Sequence, residues 1–275
     1  MDIDKLKNKN WNILIPYFGN ELSDVALQEG IALTKVFRAG IILFRANASS
    51  EEKKDLARLA GDLKNKYNIR VESYVPHGPA EDLLFALAHK SESILILIGH
   101  DKNKTSYNTG IGRTLRKLKK SRTPFMMVPR ALHTRNFKDI AYVMGYQKQE
   151  KEKILWASYF GRLYESTIHV VVPKANDQFF KIGINSNMGA MEKLYKNVEV
   201  KHINVPLAYN IHKINGGAMN YIKEQNIGAM LTLTTLRLDI FDFFGGSQEK
   251  KLICNDENIP VLCINPRDDL YVLCN

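Results

Sequence analysis

The chain has 275 residues, 45% of them hydrophobic and 25% charged, which is typical of a soluble protein with one large or two ordinary α/β domains. No apolar run approaches the ~20 residues that cross a bilayer, and the polar N-terminal sequence has no signal-peptide core, so we expect a cytoplasmic protein without membrane contact. Three cysteines without CxxC spacing argue against a disulfide framework and a zinc site. The net charge of +10 favours anionic partners, and ten Lys and Arg residues lie between Lys102 and Arg135, where no Asp or Glu occurs.

Short apolar runs alternate with helical patterns along the first half of the chain. The runs are apolar throughout, which is typical of buried parallel strands: NILIPYF (12–18), GIILFRA (40–46), IRVESYVP (69–76), SILILIG (93–99) and PFMMVP (124–129). Helices are predicted from Ser23, from the Ser49–Glu52 cap to Tyr67, from Ala80, and over the basic run Arg113–Lys120. Strictly alternating strands and helices require right-handed crossovers and a parallel sheet.

The same order recurs in the second half, with a period of roughly half the chain. Strands are predicted at 140–145, 168–173, 198–206, 227–233 and 260–266, with helices at 150–165, 177–196 and 214–226 and a last helix before the final strand. The short polar segment 131–139 is the boundary. We therefore predict an α/β protein of two similar domains, residues 1–135 and 136–275, the second more divergent.

Three pieces of the chain resemble the universal stress protein family in its tandem, two-domain form. They are NILIPYFGNELSDVAL (12–27), VPHGPAEDLLFALAHKSESILILIG (75–99) and FFGGSQEKKLICNDENIPVLCI (243–264). The resemblance implies that each half is an open five-stranded parallel sheet with helices on both faces, the adenine nucleotide alpha hydrolase-like fold. It also implies a ligand position at the carboxyl end of the sheet, where some members bind ATP and others do not. Strand order reverses there and leaves a crevice.

The family's phosphate signature implies candidate site residues in the first repeat. The signature is Gly, two residues, Gly, nine residues, Gly, then Ser or Thr, which lets backbone N–H groups and a helix start reach phosphate oxygens. Gly99 and Gly112 hold the outer glycine positions, whereas Lys102 replaces the middle glycine and Arg113 replaces the hydroxyl residue. Arg113 either grips a phosphate or carboxylate as a planar fork or fills the phosphate position and closes the site. For the glycines, the alternative to ligand contact is turn geometry alone.

The second repeat carries a different part of the signature. Gly246 and Ser247 precede a helical run, where they form either an anion nest or an N-cap. Leucines stand at the two upstream glycine positions. The family's ATP binders also have an Asp just after the first strand, and here Phe18 and Gly145 occupy that position in the two repeats. Neither side chain accepts the hydrogen bonds of a ribose, so both ATP sites are predicted to be degraded.

No motif joins a nucleophile to a base, and the histidines lack metal-site spacing, so we predict no enzymatic activity. We expect a non-enzymatic stress-response or regulatory protein without a cofactor, with ATP binding as the alternative. A small anionic ligand or a protein partner is expected beside Arg113 or beside Gly246 and Ser247. ATP, in the alternative, would contact Gly99, Gly112 and Arg113, or Gly246 and Ser247. In this family the last strands often pair, which implies an internal pseudo-dimer or a homodimer.

The basic segment 102–135 supports a third hypothesis, binding of nucleic acid or another polyanion. The plainer interpretation is a solvated helix face. Nucleic-acid binding is disfavoured because the segment lacks the aromatic platforms on which single-stranded bases stack.

Overall fold

The structure is a computed structural model that describes residues 10–107, 109–132, 136–234 and 248–266. The chain divides into two compact units, Met1–Ala131 and Leu132–Asn275. Both units are α/β, and their strands are parallel and flanked by helices, as the sequence predicts.

The first unit alternates strands and helices from β1 to β5. Its strands are β1 (Asn12–Pro16), β2 (Gly40–Phe44), β3 (Val71–Tyr74), β4 (Ser93–His100) and β5 (Phe125–Pro129). Its helices are α1 (Glu21–Phe37), α2 (Ser50–Tyr67), α3 (Ala80–Lys90) and α4 (Ile111–Leu118). The strands lie in the order β3-β2-β1-β4-β5. Every residue of β2 and β5 is buried, which explains why these runs are apolar throughout.

The second unit repeats this connectivity. Its strands are β6 (Asp139–Val143), β7 (Thr167–Lys174), β8 (His202–Asn210), β9 (Ala229–Leu233) and β10 (Val261–Ile264). Its helices are α5 (Glu150–Tyr164), α6 (Gln178–Asn197), α7 (Ile214–Glu224) and α8 (Gln248–Ile253). The order β8-β7-β6-β9-β10 matches that of the first unit, strand for strand.

Side-chain caps set the starts of α1 and α2. The Ser49 hydroxyl accepts from the Glu52 N–H (3.2 Å) and the Glu52 carboxylate accepts from the Ser49 N–H (2.8 Å), which confirms the predicted capping box. α1 begins at Glu21, two residues before the predicted start, because the Asn20 side chain accepts from the Ser23 N–H (2.9 Å).

The predicted strand at 198–206 is wrong by four residues, since β8 runs from His202 to Asn210. Residues 198–200 form the C-terminal cap of α6 instead of a strand. The Val200 N–H donates to the Tyr195 carbonyl (2.9 Å), and Glu199 has a φ of 54°, in the left-handed region. This helix ending takes up the apolar residues that the sequence pattern assigned to the strand.

Candidate functional site

Strand order reverses beside β1 in the first unit and beside β6 in the second, so a crevice is expected at the carboxyl end of each strand. In the first unit this point lies between the turn after β1 and the loop after β4. The Asn20 Nδ2 group donates to the Ser106 carbonyl (2.9 Å), and the Ser106 N–H donates to the Gly99 carbonyl (2.9 Å). The crevice is therefore bridged by the protein's own hydrogen bonds.

An aromatic pair lies beside this bridge. The rings of Phe18 and Tyr107 are 5.0 Å apart between centroids, and the Arg45 guanidinium lies 6.0 Å from the Phe18 ring. Arg45 also forms an ion pair with Glu52. Burial raises the pKa of the Tyr107 hydroxyl, which keeps it neutral. The position where the resemblance implies an Asp is thus filled by a ring that contacts another ring.

The structure separates the two candidate glycines of the first repeat. A Cβ on Gly99 would lie 1.9 Å from the Leu22 carbonyl oxygen, so Gly99 is required where β4 passes close to α1. A Cβ on Gly112 would meet nothing within 4 Å. Lys102, at the middle glycine position, has a φ of 74°, in the left-handed region that favours glycine. The middle position of the signature therefore has a backbone conformation that suits glycine, although the residue there is a lysine.

The start of α4 is open. Its N-cap residue Gly110 provides no side-chain cap, and no acidic residue occurs in the first turn. The Arg113 side chain is exposed and forms no hydrogen bond or ion pair within the described residues, whereas its backbone N–H donates to the Gly110 carbonyl (3.0 Å). The Thr114 hydroxyl lies 3.0 Å from that of Thr105 and 2.8 Å from that of Thr109, which fixes the loop against the helix. Gly112 and Arg113 therefore share a helix start with partial positive charge.

His100 is the last residue of β4 and is buried away from solvent, with 1% of its surface exposed. Its Nδ1 accepts from the Lys102 N–H (3.3 Å), and burial lowers its pKa to about 4. The adjacent Asp101 carboxylate accepts from the N–H groups of Asn103 (3.1 Å) and Lys104 (2.9 Å). The His-Asp sequence therefore forms no exposed acid–base pair.

In the second unit, a buried ion pair occupies the corresponding crevice. A Cβ on Gly145 would lie 2.4 Å from Glu150 Oε1, and the Gly145 N–H donates to Glu150 Oε2 (3.1 Å). Lys153 Nζ lies 2.7 Å from Glu150 Oε2 and donates to the Val143 carbonyl (2.6 Å). The Lys153 and Glu150 side chains are only 6% and 7% exposed. The Glu150 carboxylate therefore lies beside Gly145, where the resemblance implies an Asp, but Glu150 comes five residues later in the chain and is paired with Lys153.

Helix α6 holds the loop after β6. The Asn187 Nδ2 group donates to the carbonyls of Gly145 and Gln147, both at 2.9 Å. A Cβ on Gly183 would lie 2.5 Å from the Tyr146 carbonyl oxygen, so helix and loop pack closely there. The sequence alone did not identify Glu150 and Lys153 as site residues, because EKEK is typical of an exposed helix start. Their i, i+3 spacing was the signal that could have indicated an ion pair.

The predicted site residues Gly246 and Ser247 lie outside the described residues. Within the described residues, no group of three or more His, Cys, Asp and Glu side chains is arranged to hold a metal. No helix among them combines the length and hydropathy needed to cross a membrane.

No known protein family and no curated protein matches this sequence. Solved structures do match it over nearly its whole length. A putative universal stress protein from Pseudomonas aeruginosa UCBPP-PA14 has a TM-score of 0.66 and 14% identity, over 98% of both chains. A universal stress protein from Archaeoglobus fulgidus has a TM-score of 0.68 and 13% identity, over 92% of this chain and 97% of that one. A functionally unknown protein from Pseudomonas aeruginosa PAO1 has a TM-score of 0.65 and 13% identity, over 98% of this chain and 97% of that one.

These similarities define the class of fold. The chain has the α/β fold of universal stress proteins, which is the adenine nucleotide alpha hydrolase-like fold that the sequence predicts.

Proposed function

We propose that this protein is a tandem universal stress protein that acts in stress response or regulation without nucleotide and without catalysing a reaction. The observation that carries the proposal is the closure of the first crevice by the Asn20–Ser106 hydrogen bond and the Phe18–Tyr107 ring pair. The buried Glu150–Lys153 pair supports the same conclusion for the second unit. Its means of action would be a small anionic ligand or a protein partner.

The free energy of opening the first crevice argues against adenosine binding. A nucleoside at this point has to separate the rings of Phe18 and Tyr107 and displace the hydrogen bond from Asn20 to Ser106. A ring pair and a hydrogen bond contribute about 1 kcal/mol each. Losing both weakens the apparent affinity roughly 30-fold before any new contact is made.

The non-enzymatic part of the proposal is supported by the surroundings of His169. His169 lies between Asp139 (3.0 Å) and the Tyr221 hydroxyl (2.8 Å), an arrangement that resembles an acid, a base and a nucleophile. Burial, reinforced by the charge of Asp139, raises the pKa of Tyr221, which is the wrong direction for a nucleophile. The group also lies near the amino ends of β6 and β7, away from the crevice end.

The test is thermal unfolding with and without millimolar Mg-ATP, together with native mass spectrometry of the protein as purified. We expect no nucleotide-dependent rise in Tm and no retained nucleotide. A rise in Tm, or a bound nucleotide mass, would contradict the proposal and favour the alternative.

The alternative, an ATP-binding universal stress protein, is supported by one feature, the open start of α4 at Gly112 and Arg113. If ATP binds there, Arg113→Ala removes a phosphate contact and lowers the affinity about 10-fold or more. Arg116→Ala is the control, because Arg116 is exposed on the same helix three residues further from its start. Equal affinities of the two variants would exclude a phosphate site at Arg113.

The third hypothesis, polyanion binding, rests on Arg113, Arg116 and Lys120, which are exposed along one side of α4 and beyond it. Lys117 is neutralised by an ion pair with Glu81. Binding through these cations has to weaken steeply with salt, because each phosphate contact releases counterions. Affinity for DNA or RNA that is insensitive to salt would exclude this hypothesis.

A further inference from the structure

A cavity lies in the first unit at the amino ends of its strands, the opposite end of the sheet from the crevice. Its volume is about 270 Å³, and its walls are the turns 38–40 before β2 and 68–70 before β3, with Asn10 and Thr34. Two of the residues that line it are arginines, Arg38 and Arg70, and none of the described lining residues is acidic. The cavity therefore carries positive charge that its own lining does not neutralise.

The Arg70 guanidinium is held in place by neutral groups. Its Nη1 donates to Asn10 Oδ1 (3.0 Å), and its Nη2 donates to the Trp11 carbonyl (2.9 Å) and to Asn12 Oδ1 (2.8 Å). A Cβ on Gly40 would lie 2.7 Å from Arg70 Nε, so the guanidinium packs directly against this glycine. In the part of the chain that the structure describes, no carboxylate pairs with Arg70. The side chain is thus held in one orientation with its charge, its Nε–H and one Nη1–H still available.

Arg38 contributes the second positive charge. It is the C-cap residue of α1, and its backbone N–H donates to the Thr34 carbonyl. Its side chain is exposed and forms no hydrogen bond or ion pair among the described residues. The side-chain amide of Asn68, at the C-cap of α2, has no partner among them either. A charged planar fork and an amide are therefore available to donate beside the fixed Arg70 guanidinium.

The helix ends do not account for these charges. A cation near a helix C-terminus offsets the partial negative charge there, but the last turns of α1 and α2 already carry Lys35, Lys64 and Lys66. The second unit has Glu165 at the C-cap of α5, in the same left-handed conformation as Arg38. The fold thus accepts either sign of charge at this position, so a positive charge at residue 38 is not needed for folding.

We propose that this cavity binds a small phosphate monoester, with its phosphate group between Arg38 and Arg70. Guanidinium groups match the oxygen edges of a phosphate, and two of them balance its charge of nearly −2. The amide nitrogens of Asn10 and Asn68 remain to contact polar groups of the organic part. The volume is below the roughly 300–1,000 Å³ of pockets for drug-sized ligands, so the cavity suits a ligand smaller than a nucleotide.

The test is isothermal titration calorimetry of the full chain with glycerol phosphate at low salt. We expect Arg38→Gln to weaken binding by about 10-fold or more, because it removes a charge-assisted contact. Lys35→Gln is the matched control, since it removes the same charge from an exposed position near the same helix end but outside the cavity. Its effect should stay below about 2-fold, because solvent and salt screen a charge that does not contact the ligand.

Gly40→Ala tests the position of Arg70 without changing any charge. Its methyl group would occupy the place of Arg70 Nε and displace the guanidinium, so binding should again weaken by about 10-fold or more. Gly61→Ala is its control, because a Cβ on Gly61 would meet nothing within 4 Å on the exposed side of α2. Urea denaturation of each variant separates a loss of binding from a loss of folding.

Inorganic phosphate should bind more weakly than glycerol phosphate, because it has no organic part that contacts the asparagine amides. Equal affinities for the two would overturn the assignment to a monoester. The proposal is also overturned if the native chain binds neither compound up to about 10 mM, or if Arg38→Gln and Gly40→Ala bind as tightly as their controls. Loss of binding in Arg113→Ala alone would place the anion at the start of α4 and overturn it as well. Thermal unfolding with Mg-ATP tests the proposed function separately, and neither result decides the other.

Discussion

The two units place different chemistry at the same point of the same topology. Beside β1 the crevice is filled by the Phe18–Tyr107 ring pair and bridged by a hydrogen bond from Asn20. Beside β6 it is filled by the buried Glu150–Lys153 ion pair. The fold determines where a crevice can form, but the residues that fill it vary independently. An aromatic filling is held by several weak contacts, whereas a buried ion pair depends on both of its members.

The comparison predicts its largest effect in the second unit. Lys153→Met leaves the Glu150 carboxylate buried without its partner, so the free energy of unfolding should fall by about 3–5 kcal/mol. Urea denaturation measures this change. Lys151→Met, at an exposed position of the same helix turn, is the control and should cost less than about 0.5 kcal/mol. A Lys153→Met loss no larger than that of the control would mean that the ion pair does not hold the second crevice.

Two glycine substitutions test the different roles of Gly99 and Gly112 at the first crevice. Gly99→Ala drives a Cβ against the Leu22 carbonyl, so the free energy of unfolding should fall by about 3 kcal/mol. Gly112→Ala meets open space on a helix and should be neutral or stabilising by up to about 1 kcal/mol. Both are measured by urea denaturation. Similar effects of the two substitutions would contradict the separate roles assigned to these glycines.

The buried His100 predicts a pH dependence. The unfolded chain takes up a proton at this residue below about pH 6.5, whereas the folded chain does so only below about pH 4. The unfolded state therefore binds more protons between these values, and the free energy of unfolding falls as the pH is lowered through this window. We expect His100 to account for roughly 2–3 kcal/mol of that loss.

His100→Gln removes this titration, so urea denaturation at pH 7 and pH 5 should show a smaller difference than in the native chain. His89→Gln is the matched control, since His89 is exposed near the end of α3. An unchanged pH dependence in His100→Gln would refute the role of this residue.

The smallest predicted effect separates two functions of Asn20. Asn20→Asp keeps an oxygen that caps α1 but loses the donor to the Ser106 carbonyl, so the free energy of unfolding should fall by about 1 kcal/mol. Asn20→Ala loses the cap as well and should cost about 1 kcal/mol more. Hydrogen exchange of the loop after β4 should accelerate in both variants. Unchanged exchange in Asn20→Asp would show that the hydrogen bond does not hold the loop.

The strands and caps were predictable because their causes are local. Apolar runs predicted β2 and β5, and the Ser49–Glu52 spacing predicted the start of α2. The filling of the crevices was not predictable in the same way. Phe18 and Tyr107 meet only after the sheet brings together segments 89 positions apart. Lys153 looks like a surface residue in the sequence and is buried only because β6 ends beside it.

Lys102 has a consequence for how glycine signatures are interpreted. A lysine in the left-handed region costs about 1 kcal/mol or somewhat more, and a glycine there loses a similar amount of chain entropy on folding. The strain of a side chain at this φ of 74° exceeds the chain entropy that it saves, so the position still favours glycine. The middle position of the signature therefore requires a left-handed residue for the shape of the loop itself, whether or not a ligand binds beside it.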